Sequence, residues 1–408
     1  MLTRSPFAPS DIWELPALPG VRMATCAAGV RYRGRDDLAL MVFDQGTVVA
    51  GSFTRSQTAG APVIWSRRVA KCGVARALIV NAGNANVFTG EAGHATVLAE
   101  AEAVSNSLGL SVDDVLVCST GVIGEPLDPS SITRHVPRLT ESLRPDAWLS
   151  FAEAIRTTDT YPKVATVETK LQRGMVRLNG LAKGSGMIAP NMATMLAFLA
   201  TDAAISPALL KQMLKECVDE TFNCITVDGD TSTSDSVLLA ATGKVGDQIV
   251  RTDDPDYVPF RDALLELCRN LALQVVCDGE GLTKLVEIRL RGATSRETAR
   301  TLAMAVANSP LLKTAIAGGD ANWGRIVMAL GKAGPFLNVA DLRIAIGNHP
   351  VASNGVRDAA YDEDAVSRHV AGARVEIDVS VGPGPGEIKV WTTDMTNEFV
   401  AINASYRS

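Results

Sequence analysis

Histidine is scarce in this chain. Its 408 residues include only His94, His135, His349 and His369, none set in a ligand pattern with nearby Cys or Asp, so a mechanism centred on imidazole is not expected. Cysteine is sparse and odd in number. Cys26, Cys72, Cys118, Cys217, Cys224, Cys268 and Cys277 are scattered without C-x-x-C spacing, which argues against structural zinc and for reduced, mostly buried thiols. Positive charge is not in excess: 39 Lys and Arg stand against 45 Asp and Glu, a net charge of -6. No overall field then favours nucleic acid or an anionic membrane as partner. No stretch reaches the roughly 18 consecutive apolar residues that span a bilayer. The opening MLTRSPFAPSDIWELP has no apolar core of a secretory signal, so a cytoplasmic location is the expectation.

What is present is aliphatic. Hydrophobic residues make up 47% of the chain and aromatics only 5%, enough apolar surface to offset ordering entropy and to exclude a disordered chain. The length exceeds what one hydrophobic core supports, so two lobes are expected. They are a catalytic region over 1–285 and a smaller α+β lobe over 286–408, with a weakly marked boundary.

Strand-like runs alternate with helical patterns in the first third. Leu38 to Phe43, the turn Asp44-Gln45-Gly46 and Thr47 to Phe53 predict a hairpin. Ala77 to Val80 predicts a strand ending in the polar loop NAGNAN, followed by a helix from about Glu91 to Leu108 that Gly109 stops. Val115 to Cys118 predicts a buried strand running into the turn Ser119-Thr120-Gly121, whose small residues allow a ligand to approach the backbone. Val164 to Leu171 and Met175 to Leu181 predict a second hairpin. Ser206-Pro207 opens a helix to about Thr221, a strand pair brackets DGDTSTSDS, and a helix runs from about Phe260 to Val276. Thr294-x-x-Glu297 reads as a capping box.

The segment from Leu181 to Ala203 changes character at Thr194. A glycine-rich stretch carrying Lys183 precedes it and an aliphatic strand follows. A strained peptide bond between Ala193 and Thr194 could be attacked by the Thr194 hydroxyl, freeing an amino-terminal threonine. Such a residue carries its nucleophile and its base together, because a freed α-amine has a reference pKa of about 7.7 to 8.0 and so can take the hydroxyl proton. The Thr120-Gly121 turn is the candidate for stabilising the developing oxyanion. The plain alternative is a glycine-rich loop feeding a core strand.

The segment KGSGMIAPNMATMLAFLATDA resembles the signature of the ornithine acetyltransferase family, the bifunctional glutamate N-acetyltransferases of the cyclic arginine pathway. The resemblance extends to NAGNANVFTG, CSTGVIGEPL, TTDTYPK, VDGDTSTSD, DGEGLTK, GGDANWGRI and the terminal INASYRS, and so covers essentially the whole chain. It implies a layered α-β-β-α sandwich core and self-cleavage between Ala193 and Thr194, giving an α chain of 1–193 and a β chain of 194–408. It also implies Thr194 as acyl-accepting nucleophile, Thr120 and Gly121 at the oxyanion, and substrate binding by Thr160, Lys183, Thr194, Glu280, Asn403 and Ser408. The implied reaction moves acetyl from N-acetylornithine to glutamate through an acetyl-threonine ester, without metal or organic cofactor, with acetyl-coenzyme A possible as a co-substrate. The implied assembly is a heterotetramer of two α and two β chains. The rival enzymatic reading is a self-cleaving amidase or aminopeptidase with the same nucleophile, resolved by water.

Other polar residues have plainer readings. Asn81, Asn84 and Asn86 suit turn formation, with donors near the oxyanion as the alternative. Asp159 reads as a turn-former more readily than as a catalytic acid.

Overall fold

Alternation of side chains decides the central layers. In the computed structural model, which describes residues 3–189 and 195–404, two compact units divide the chain. One comprises Pro9–Asn223 and Asp230–Val275, the other Met1–Ala8, Cys224–Gly229 and Val276–Ser408.

The first unit contains strands β1 (Val21–Cys26), β2 (Leu38–Phe43), β3 (Val48–Phe53), β4 (Ala77–Asn84), β5 (Val115–Val122), β6 (Lys163–Leu171), β7 (Gly174–Lys183), β8 (Leu196–Ile205) and β9 (Ser236–Ile249). They form a four-stranded sheet in the order β1-β2-β4-β5 and a five-stranded sheet in the order β3-β9-β8-β7-β6. The β4–β5 and β8–β9 pairs are parallel; the rest are antiparallel. One face of the smaller sheet, including Met23, Met41, Leu78, Val80 and Cys118, packs in one core with Leu181, Leu196, Phe198 and Leu238 of the larger.

The helices of this unit are α1 (Ala61–Lys71), α2 (Gly90–Leu108), α3 (Ser130–Thr133), α4 (Val136–Glu141), α5 (Trp148–Ala154), α6 (Pro207–Glu220) and α7 (Tyr257–Val276). The opposite face of the smaller sheet, with Leu38, Leu40, Ile79 and Val117, meets Val97, Ala101 and Val104 of α2 and residues of α3 and α4. Burying each such valine contributes about 1.5 kcal/mol or more. Across the molecule, a Cβ at Gly180 of β7 would run into Leu271 of α7 at 2.8 Å, and α6 packs on β3 and β9. The result is an α-β-β-α sandwich.

The second unit carries β10 (Leu285–Ala293), α8 (Arg296–Ala307), α9 (Pro310–Ala317), α10 (Gly324–Gly331), β11 (Arg343–Ile346), β12 (His349–Ser353), β13 (Val356–Arg357), α11 (Glu363–Val370), β14 (Arg374–Ser380), β15 (Gly386–Thr393) and α12 (Asn397–Ala404). Its six-stranded sheet runs β13-β12-β11-β14-β10-β15, with α8 against β10 and β15. This is the expected α+β organisation.

The expected β6–β7 hairpin forms, and α2 ends at Gly109 in the left-handed conformation, φ 67°. The first expected hairpin does not form. β2 pairs with β1 and β4, whereas β3 pairs with β9 in the other sheet. All six β2 residues are buried, so β2 needs neighbours on both edges and cover on both faces, and the Asp44 turn crosses between sheets. The DGDTSTSDS loop is followed by β9, but before it only Ile225 makes an isolated bridge, to Trp391. The α8 cap is Ser295, whose side chain accepts the Thr298 N–H, and not Thr294. The cysteines are all free thiols, six buried and Cys72 exposed.

Candidate active site

The ends of β5 and β7 bring the chemistry together in the first unit. β5 continues through Thr120 and Gly121 to Val122, correcting the expectation of a turn there. The reason is β4, which runs on through the expected NAGNAN loop as far as Asn84 and pairs Gly83 with Gly121. Gly121 has φ 132°, and a Cβ on it would stand 2.3 Å from the Gly83 carbonyl carbon. Only glycine allows the two strands this approach. The three asparagines of this stretch donate to backbone carbonyls: Asn81 Nδ2 to Asn84, Asn84 Nδ2 to Glu125, and Asn86 Nδ2 to Gly93.

Lys183, the last residue of β7, is buried at 2% exposure. Its Nζ donates to Thr157 Oγ1 at 2.9 Å and to Thr120 Oγ1 at 3.3 Å, and lies 3.9 Å from Asp159 Oδ2. An ammonium therefore stands beside the expected oxyanion residue. Lys183 is also in register with Leu196 on β8, two residues beyond Thr194 in the chain. Ala193, Thr194 and Ser408 lie outside the described residues.

Asp159 is the hub of this cluster. Its Oδ1 accepts from Lys163 Nζ at 2.7 Å and from the Gly184 N–H at 2.6 Å, and its Oδ2 accepts from the Thr157 N–H at 3.1 Å. Burial by itself would raise the carboxyl, but the ammonium groups of Lys163 and Lys183, with these hydrogen bonds, hold it well below the usual carboxylate range. Two cations thus meet at one anion in a buried polar cluster. Lys163 also lies over the Tyr161 ring, 4.8 Å from its centre. Thr160, in the same segment, is half-buried.

The turn reading of Asp159 captured its bond to the Thr157 amide but missed its charge partners. The spacing of Asp159 and Lys163 gave no signal, since the segment between α5 and β6 is not helical. A second missed carboxyl is Asp235, whose Oδ1 accepts the Met195 N–H at 3.1 Å; nothing in the run of Thr, Ser and Asp around it distinguishes it.

In the second unit, Glu280 is buried at 7% exposure. Asn403 of α12 donates from Nδ2 to Glu280 Oε2 at 2.7 Å and to the Phe399 carbonyl at 3.0 Å. Gly281, φ 68°, gives α12 room: a Cβ there would come 2.5 Å from the Phe399 nitrogen. Two of the expected binding residues, Glu280 and Asn403, are therefore in direct contact.

The fold is that of an α/β sandwich enzyme, and among the described residues these polar clusters are built from Thr, Lys, Asn and carboxylate side chains. The chain belongs to the ArgJ family, whose model matches residues 22–408. Two relatives named arginine biosynthesis bifunctional protein ArgJ resemble it over nearly their full length. The one from Bradyrhizobium diazoefficiens is 50% identical over 408 residues and the one from Bartonella quintana 50% identical over 407, each match covering 99% of both chains. Among solved structures, the ArgJ bifunctional protein of Bacillus halodurans is 38% identical, covering 50% of this chain and 96% of that one, with a TM-score of 0.48. Ornithine acetyltransferase from Mycobacterium tuberculosis, solved in complex with ornithine, is 36% identical over 43% of this chain and 93% of that one, with a TM-score of 0.40.

Proposed function

We propose that this protein transfers an acetyl group from N-acetylornithine to glutamate by way of an acetyl ester on Thr194, as a step of arginine biosynthesis. The observation that carries the reading is the Lys183–Thr120 pair, buried at the ends of β7 and β5, with Lys183 in register with the second residue after Thr194. Full-length likeness to relatives named for arginine biosynthesis supports it.

Maturation comes first. The Thr194 hydroxyl attacks the Ala193 carbonyl carbon, the C–N bond breaks, and water hydrolyses the resulting ester to leave an Ala193 carboxylate and a free Thr194 amine. In turnover that amine takes the Thr194 hydroxyl proton as the oxygen attacks the acetyl carbonyl. Thr120 and Gly121 stabilise the oxyanion. The intermediate collapses, the proton passes to the departing ornithine nitrogen, and the acetyl group stays on Thr194. The neutral amine of glutamate then attacks the ester, its proton returns to the Thr194 oxygen, and N-acetylglutamate leaves. Lys183 and Thr160 hold the substrate carboxylate, Glu280 a cationic amine, and Asn403 and Ser408 complete substrate binding. Acetyl-coenzyme A serves as a second acetyl donor, the functional assembly is two α and two β chains, and the compartment is the cytoplasm.

Incubation with N-acetylornithine and glutamate should yield N-acetylglutamate and ornithine. Release of free acetate in its place would make the protein a hydrolase. Denaturing electrophoresis should show two pieces, the lighter at about 20 kDa for residues 1–193 of a 43.1 kDa chain. Thr194→Ala should stay uncut and inactive.

A further inference from the structure

Asp235 closes the polar loop that leads into β9. Its carbonyl accepts the Thr54 N–H at 3.1 Å, just past β3. Its side chain reaches the start of β8, where Oδ1 accepts the Met195 N–H at 3.1 Å, while the next residue, Ser236, donates its N–H to the Met195 carbonyl at 3.1 Å. Met195 is thus held at both its amide and its carbonyl by two consecutive residues. The amide concerned is the peptide link between Thr194 and Met195.

A buried carboxyl is an unusual choice for holding one N–H. Asp235 is fully buried, and its Oδ2 has no hydrogen-bond partner. Two hydroxyls lie near the carboxyl: Thr54 Oγ1, which donates to the Ser232 carbonyl at 2.6 Å, and Ser232 Oγ, which accepts the Ser234 N–H at 3.0 Å. Burial pushes the carboxyl well above its ordinary range, outweighing the Met195 hydrogen bond, the neighbouring hydroxyls and the attraction of Lys183. Unpaired buried polar atoms are costly, and they concentrate where structure has been traded for function.

We propose that Asp235 is the positioning residue of the nucleophile: by accepting the Met195 N–H it clamps the start of β8, to which Thr194 is joined by the next peptide bond, both for chain cleavage and for acetyl transfer. This rests on the function proposed above. The clamp acts on an atom one peptide away from the reacting groups, where small displacements are expensive in rate.

The test compares Asp235→Ala and Asp235→Asn with the native sequence, each expressed as the full chain. Asn keeps an oxygen to accept the Met195 N–H and replaces the other carboxyl oxygen with an amide nitrogen. For Asp235→Ala, cleavage of the purified precursor should slow, and kcat of the cleaved enzyme should fall, by on the order of 10²-fold, with KM for N-acetylornithine changed less than about 3-fold. Asp235→Asn should recover most of both losses, which a role confined to folding would not separate into kcat and KM. Cleavage and kcat near native values in Asp235→Ala would overturn the clamp. An Asn variant as impaired as the Ala variant, with an unchanged thermal melt, would overturn the assignment of the clamp to the oxygen that accepts the Met195 N–H. If Asp235→Ala does not fold, the Asn variant decides alone. A native protein that neither cleaves nor transfers acetyl would instead refute the function on which the proposal rests, whatever the variants do.

Discussion

Gly83 and Gly121 sit so close across the β4–β5 pair that a Cβ on Gly121 would lie 2.3 Å from the Gly83 carbonyl carbon and 2.6 Å from the Asn84 nitrogen. Both contacts are with backbone, which cannot swing aside. Gly121→Ala should therefore force the strands apart at the residue beside Thr120, costing about 3 kcal/mol through overpacking and the left-handed φ together. A thermal melt and the rate of acetyl transfer check it, and both should fall. A melt unchanged within about 2 °C would contradict the packing argument.

Asp159 supplies the negative charge for two buried ammonium groups, Lys163 at 2.7 Å and Lys183 at 3.9 Å. Replacing it with Asn removes the carboxylate that both ammonium groups face, a loss of about 3 to 5 kcal/mol for a broken buried pair. The pH dependence has a definite sign. Its carboxyl is held below the ordinary range in the folded protein, so its stabilisation is complete above the unfolded value of about 4 and is lost as pH falls below that. Melts of the native chain should drop steeply as pH is lowered from about 5, and Asp159→Asn should flatten that slope.

Glu100 presents the opposite case. It lies on α2 at 1% exposure, its Oε1 has no hydrogen-bond partner, and burial pushes it up to about 8. A carboxyl raised in the folded state stabilises most where it is protonated in both states. Stability should then decline as pH rises from the unfolded value of about 4 and level off above the folded one. Glu100→Gln should remove this decline and gain a few kcal/mol at pH 8 but little at pH 4. Equal gains at the two pH values would show that the acid's ionisation is not the cause.

Asn403 holds the Glu280 carboxylate to the α12 helix at 2.7 Å. Asn403→Ala should release that carboxylate from its set direction and raise KM for N-acetylornithine about tenfold, one hydrogen bond to a charged group, with a smaller change in the melting temperature. Steady-state kinetics on the cleaved enzyme provides the measurement. A changed kcat with an unchanged KM would move Asn403 out of substrate binding.

Local patterns were legible where neighbours in the chain decide the outcome. The β6–β7 hairpin follows from two alternating runs around Gln172-Arg173-Gly174, and the α2 stop from Gly109, since both depend on turn chemistry a few residues long. The β2–β3 hairpin was misread because the two strands and the Asp44 turn look the same whether the chain folds back or crosses to another sheet. The Lys183–Thr120 contact had a partial signal, a lone cation in a glycine-rich stretch and small residues after a buried strand. That the two meet depends on strand order, which local sequence does not encode.

What the sequence determined by itself was chemical: scarce histidine, reduced cysteine, an aliphatic core, and one threonine at a change from glycine-rich to aliphatic chain. Tertiary structure alone decided the electrostatics. Asp159 and Asp235 are the same residue type in similar polar runs, yet the carboxyl of one is held well below the ordinary range and that of the other is pushed well above it. The difference comes from what burial places around each, two ammonium groups and two amides for Asp159, and for Asp235 one amide and the Ser232 and Thr54 hydroxyls, with Lys183 acting only through its charge. A carboxyl's charge is set by solvation and neighbours in space, and those exist only once the chain has folded.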